Sequence, residues 1–253
     1  MASVSILLFV RGIAVAGGPF GPPEPIAKPG GGLHTAFGYW YQQDTYKNGT
    51  EYAIRQNQIY SEAGYGFGNR WEVHARIGLS DLKVMDAYRS TSASTVAFRN
   101  DFAENWKFFT AVGAKGFYPI NGVFGIGSFI HGTYYFSDFT DKVSGTQTGA
   151  PYSVDVGVKG LWDVNFGVGL QATVPYGVKM YIGPYIYYSE ARIASSATIA
   201  GLAVTAGEAT IRNKNVLGGF AGVEVPLPKG FRLNLEGQYS ERLSAGVAVA
   251  YTY

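Results

Sequence analysis

The side chains that can do chemistry are few in kind. The chain has three histidines, His34, His74 and His131, and no cysteine among its 253 residues. Thiol nucleophiles, disulfides and cysteine-based zinc sites are therefore excluded. A hydrolase would need a base beside a nucleophile or an activated water at a rim. His131 sits in mid-strand, and Asp138 and Asp141 lie beyond its reach along an extended backbone. The glycine-rich run Gly64–Gly68 precedes no helix, so it lacks the dipole that phosphate binding uses. Asn48-Gly49-Thr50 matches a glycosylation acceptor at the level of chance. No metal-ligand spacing occurs, and no cofactor, metal or catalytic residue is expected. What remains is ionic: Glu62, Glu72, His74, Arg76, Lys107, Lys115, His131, Asp155, Lys159, Asp163, Lys179, Arg232 and Glu236. In a confined space such groups pair with one another. In a pore they would set selectivity, here weakly, because the two signs nearly cancel.

The elements that must carry these residues are strands. From Val154 to Val174 the even positions are apolar and bulky, and most odd positions are polar or glycine, a period of two. The split recurs in Trp71–Leu79, in Phe231–Ser240 and, more softly, in Val178–Ser189. Weaker versions lie near 33–43, 54–68, 106–118, 123–137 and 210–225. Tight turns are expected at Gly68–Arg70, Pro119–Gly122, Pro175–Gly177 and Leu227–Gly230, where Gly, Pro and Asn supply turn geometry. Between them fall longer links, 44–53, 80–105, 137–151 and 194–209, the last of which reads best as a continued hairpin.

Composition sets the medium. Charged residues make up only 15% of the chain and aromatics another 15%, which argues against disorder. No stretch supplies the roughly twenty apolar residues of a membrane helix. A net charge of +2 gives no bulk pull toward nucleic acid. Alternating strands, short and long links in turn, and aromatics flanking every tight turn describe an all-β, up-and-down antiparallel transmembrane β-barrel. About ten strands fit, with eight or twelve open. A soluble barrel, with the apolar phase inside, is the competing reading.

Residues 1–16 read as a signal-peptide remnant, with an apolar core at Ile6–Val10 and Ala14-Val15-Ala16 as a cleavage-like site. No basic residue precedes that core, and Arg11 follows it. Residues 17–32 hold five prolines and six glycines and read as an extended linker, so the barrel is expected over 33–253.

The closing segment LSAGVAVAYTY, with Ala245, Val247, Val249, Tyr251 and Tyr253 in one phase, resembles the last strand of Gram-negative outer-membrane β-barrel proteins. That resemblance is class-level. It implies an exported precursor, an outer-membrane location, outer-membrane lipid around the barrel, and assembly machinery that reads Val247, Val249, Tyr251 and Tyr253. The functions expected are a narrow porin-like channel for ions or small solutes, or a filled structural or surface barrel. Inward glycines (Gly64, Gly66, Gly113, Gly125, Gly127, Gly157, Gly167, Gly169) either leave space for a pore or relieve crowding. A barrel binding an unidentified partner or an apolar ligand through its outer loops is the alternative, and an outer-membrane protease or lipid hydrolase stands last. No nucleic-acid partner is expected.

Overall fold

The computed structural model of the protein describes residues 20–26, 30–88, 95–97, 101–147 and 149–253. The expected signal remnant lies outside them. Among the described residues thirteen strands form one sheet: β1 (Gly32–Asn48), β2 (Thr50–Phe67), β3 (Trp71–Val84), β4 (Thr95–Ala97), β5 (Phe102–Pro119), β6 (Phe124–Tyr135), β7 (Phe139–Gln147), β8 (Ala150–Thr173), β9 (Lys179–Ile199), β10 (Leu202–Asn213), β11 (Leu217–Pro226), β12 (Phe231–Tyr239) and β13 (Leu243–Thr252). Every pairing is antiparallel, and β13 pairs back onto β1, from His34 opposite Thr252 to Tyr41 opposite Ala245. The sheet is thereby a closed up-and-down barrel with no free edge in its lower half.

The lower half is a ring of ten strands, β1, β2, β3, β5, β6, β8, β9, β11, β12 and β13. The four tight turns lie at this end, as do Gly32 and Tyr253. Two of them are Pro-X-Gly turns in which Tyr176 (φ 64°) and Lys229 (φ 63°) precede glycines of φ 74° and 83°. The upper half is built differently. β12 and β13 stop at mid-height, and β10 closes onto β1 through Tyr46 opposite Asn213. β7 replaces β6 beside β8. Between β5 and β7 the seam is carried by side chains: Asp141 accepts the Ala103 N–H at 2.9 Å and Glu104 accepts the Thr140 N–H at 3.2 Å.

Two expected loops are strand instead. The 44–53 link is mostly β1 and β2 continuing to a hairpin tip at Gly49, and 137–151 contains β7. The 194–209 segment is the predicted hairpin, β9 into β10.

In the lower half the apolar phase faces outward. Phe37, Val73, Ile77, Val112, Ile130, Phe166, Leu170, Ile182 and Val249 are exposed, while Glu72, His74, Lys115, Gln171 and Glu236 are buried inside. In the upper half the arrangement reverses. Tyr46, Ile54, Leu82, Val84, Phe102, Phe139, Val158, Ala191 and Ile211 form the interior core. Lys142, Arg192, Glu208 and Arg212 lie outside. On β8 and β5 the reversal is made by bulges: register shifts between Lys159 and Trp162, where Gly160 has φ 57°, and on β5 opposite Ser80–Leu82. An extra residue moves every following side chain to the other face. On β9 the parity never changes, and the residue pattern itself turns over, from Tyr185 and Tyr187 inside to Ala191 and Ile193.

Candidate functional site

The lumen is where this fold gathers its chemistry. Inward positions of β1, β2, β3, β5 and β6 place seven ionisable groups in one buried cluster. Arg76 Nε stands 2.5 Å from Glu62 Oε2, with both side chains under 10% exposed. His34 Nε2 is 3.3 Å from Glu62 Oε1. Lys115 Nζ lies 3.5 Å from Glu72 Oε1, and His34 Nδ1 lies 3.8 Å from Glu72 Oε2. His74 Nε2 and His131 Nδ1 meet at 3.4 Å with their rings stacked. Arg76 also lies over the Tyr60 ring, 4.6 Å from its centroid. Burying the charges of Glu62, Arg76, Glu72 and Lys115 is tolerable only because each stands beside an opposite one. Among the described residues no group of three His, Asp or Glu is placed to hold a metal ion.

The expected lumen residues divide by height. Glu62, Glu72, His74, Arg76, Lys115, His131, Lys179 and Glu236 are buried within the ring. Asp163 is half-buried and takes a 2.8 Å hydrogen bond from Asn165. Arg232 stands at the lower mouth, 2.9 Å from Glu224. Two expectations are corrected: Asp155 and Lys159 lie above the β8 bulge, so their phase faces outward. Asp155 is 47% exposed and paired with Lys142, and Lys159 shares its outer groove. Lys107 sits beside the β5 bulge, 28% exposed and 3.9 Å from Glu104 rather than in the central cluster. The closing-strand residues Val249 and Tyr253 face outward, whereas Val247 is covered.

The sequence reading missed what fills the lower lumen. Residues 20–26, placed in a linker, lie inside the barrel without joining a strand. Phe20 is 1% exposed and stacks on Phe129 at 3.8 Å, with Tyr185 and Phe220 each 5.4 Å away edge-on. Glu236 accepts the Gly21 N–H at 2.8 Å, and Glu72 accepts the Ile26 N–H at 2.7 Å. Gln171 bonds Glu24 twice, and Lys179 Nζ stands 3.0 Å from Glu24 Oε2. The proline content that removed this segment from the ladder was legible; its acceptors in the lumen were not.

Nor do the inward glycines leave a pore. A Cβ at Gly64 would come within 2.2 Å of the His34 ring, at Gly113 within 2.4 Å of His74, and at Gly167 within 2.1 Å of Phe129. Cβ atoms at Gly127 and Gly169 would meet Pro23 at 2.7 and 3.1 Å. The space they free is occupied by neighbouring rings and by the inserted segment. Between that segment and the upper core lies a polar cavity of about 40 Å³ bordered by Gln58, Arg76, His131, Asp163, Asn165 and Gln238. Its polar lining and size suit a few ordered water molecules.

No protein-family model matches the chain, and no curated protein does. Among solved structures it is similar to the translocator domain of the autotransporter NalP from Neisseria meningitidis, at 12% identity over 88% of each chain and a TM-score of 0.49. It is also similar to an outer-membrane channel from Pseudomonas putida F1, at 12% identity over 92% of this chain and 98% of that one, TM-score 0.43. A third is the transport unit of the autotransporter AIDA-I from Escherichia coli, at 9% identity over 89% and 91%, TM-score 0.41. The barrel assignment for this chain rests on the closed pairing of its own strands.

Proposed function

We propose that this chain is an outer-membrane barrel, closed along its lumen at rest, that holds the upper sheet of β7–β10 as a rigid platform outside the membrane. The lower ring's apolar exterior supports the membrane setting, since a soluble monomer rarely exposes so large a continuous apolar surface. Aromatics border it at two levels. Tyr65, Phe67, Trp71, Phe124 and Phe231 lie below, and Trp106, Phe108, Tyr134, Phe136 and Tyr239 above. On β6 the two levels are separated by the steps from Phe124 to Tyr134. At about 3.3 Å per residue and a tilt near 40°, that is about 25 Å, the height of an outer-membrane apolar band. Lipid of that membrane covers the belt, both ends of the barrel domain face the periplasm, and β13 is the segment an assembly machinery would read.

One observation carries the closed reading: the lumen is filled twice, by residues 20–26 below and by the apolar core above. The narrow-channel reading retains only the polar cavity between them. Conduction would require both fillings to part. The two charge signs along the lower lumen pair with each other instead of lining an open path, and the proposed role includes no catalysis. The test is single-channel recording in a planar bilayer, on protein whose folding is verified by its heat-dependent gel shift. A silent membrane is expected. Steady steps that scale with salt would overturn the closed barrel and restore the pore.

A further inference from the structure

The inserted segment fits the lumen as a ligand fits a site. Within residues 21–26 only Gly21, Glu24 and Ile26 carry a backbone N–H, because positions 22, 23 and 25 are proline. Each of those donors finds a lumen acceptor: Glu236 at 2.8 Å, Gln171 at 3.2 Å and Glu72 at 2.7 Å. The barrel also reads the carbonyls, with Thr252 Oγ1 donating to Ile26 O at 3.3 Å and Lys115 Nζ donating to Pro22 O at 3.5 Å. Its only carboxylate meets Lys179 and Gln171, its aromatic ring enters a socket of Phe129, Tyr185 and Phe220, and Pro23 lies where Gly127 and Gly169 lack side chains. Any buried coil needs acceptors for its N–H groups; what marks this one is that its carboxylate, its ring and Pro23 also meet matching features of the wall, the fit of an extended peptide preorganised by proline.

We propose that the lower lumen is a peptide-recognition site for an extended, proline-rich segment with one aromatic anchor and one carboxylate. Residues 20–26 are its occupant in cis, and a segment of the same chemistry on another protein takes the site when they leave it. All of the contacts are non-covalent, and the segment pairs with no strand, so its exchange leaves the barrel ladder intact.

The chain has no cysteine, so one reporter thiol is unambiguous. Asn234→Cys places it on the lower lumen wall at a side chain 7% exposed that makes no bond to the segment. The refolded full chain is treated with a small charged thiol reagent. The reporter is expected to react slowly with the native segment in place. It should react about tenfold faster with Phe20→Ala and Glu24→Gln combined, an equilibrium shift of about 1.4 kcal/mol. An excess of synthetic peptide with the sequence of residues 20–26 should restore protection, and a scrambled peptide should not. If the double variant fails to give the folded gel shift, Glu24→Gln alone carries the comparison with the same peptide arms. Equal reaction rates in native and variant chains overturn the proposal, as does acceleration that the native-sequence peptide cannot reverse. Neither result bears on whether the bilayer is silent, so the closed-barrel reading stands or falls separately.

Discussion

The two halves of this barrel solve the same problem in opposite ways. The lower ring shows apolar side chains to its surroundings and keeps a polar interior, whereas the upper ring has the polarity of a water-soluble barrel, with an apolar core and charged exterior. Both must close, because an interior of eight or ten strands is small enough for side chains to occupy. Above, strand residues supply the filling themselves. Below, where inward positions combine Glu, His, Arg, Lys and glycine with the aromatic socket, the filling is completed by residues 20–26. The lesson is that a barrel's polarity belongs to each height separately. A single bulge, such as the one at Gly160, suffices to exchange the faces of one wall.

The sharpest way to break the comparison is to show that charge matters equally in both halves. Arg76→Met removes one member of the buried pair with Glu62 and is expected to cost about 3–5 kcal/mol, because the carboxylate is left buried and uncompensated. Lys142→Met above removes a pair with Asp155 whose members are 60% and 47% exposed. It should cost under about 0.5 kcal/mol. Urea unfolding in lipid vesicles, followed by the gel shift, measures both, and similar losses would erase the distinction.

Volume should act in the reverse sense. Phe139 is fully buried in the upper core, and Phe139→Ala is expected to cost about 3–4 kcal/mol through lost burial and a residual cavity. Phe37→Ala on the lower exterior, 59% exposed, opens no cavity in the protein and should cost well under half as much by the same unfolding midpoints. A lower-ring loss as large as the upper one would mean that the belt, not the core, carries the packing energy.

Gly167 and Gly157 sharpen the contrast within one strand. Both lie on β8, but a Cβ at Gly167 would come within 2.1 Å of Phe129, whereas one at Gly157 has nothing nearer than 3.7 Å. Gly167→Ala must displace the ring on which Phe20 stacks, at about 1–3 kcal/mol. Gly157→Ala should be neutral or stabilising by up to about 1 kcal/mol, since alanine restricts the unfolded chain. Equal effects at the two sites would show that the lower lumen is looser than its contacts imply.

How far the sequence reaches follows from these same features. The strands and lower turns were legible because period-two alternation and Pro-X-Gly signals are local. The lower phase was legible too, since Trp71–Leu79 alternates throughout and Phe231–Ser240 does so but for Gly237. The reversal was not: Val154, Val156 and Val158 continue the numerical alternation of Val164, Phe166 and Val168, and only the bulge between them separates the faces. Asp155 and Lys159 were misplaced for that reason. The seat of residues 20–26 was invisible for a different one. Glu236, Gln171 and Glu72 are distant in sequence from the donors they accept, and no local pattern marks an acceptor.

The smallest expected effect is a control on all of the others. Three hairpin tips share one backbone, a residue of positive φ followed by glycine: Ala200-Gly201 at the top, with φ 49° and 83°, and Tyr176-Gly177 and Lys229-Gly230 below. Such turns favour Asn-Gly, since asparagine tolerates the left-handed region that most side chains resist by about 1–2 kcal/mol. Ala200→Asn and Lys229→Asn should therefore each stabilise the barrel, by about 0.5–1 kcal/mol, measured by the same urea midpoints. Backbone strain at a tip does not depend on which face of the wall is apolar, so the two gains should match. If only the lower substitution stabilised, the difference between the halves would extend beyond side-chain polarity to the hairpins that close them, and the upper sheet would have to be frayed at its tips rather than rigid.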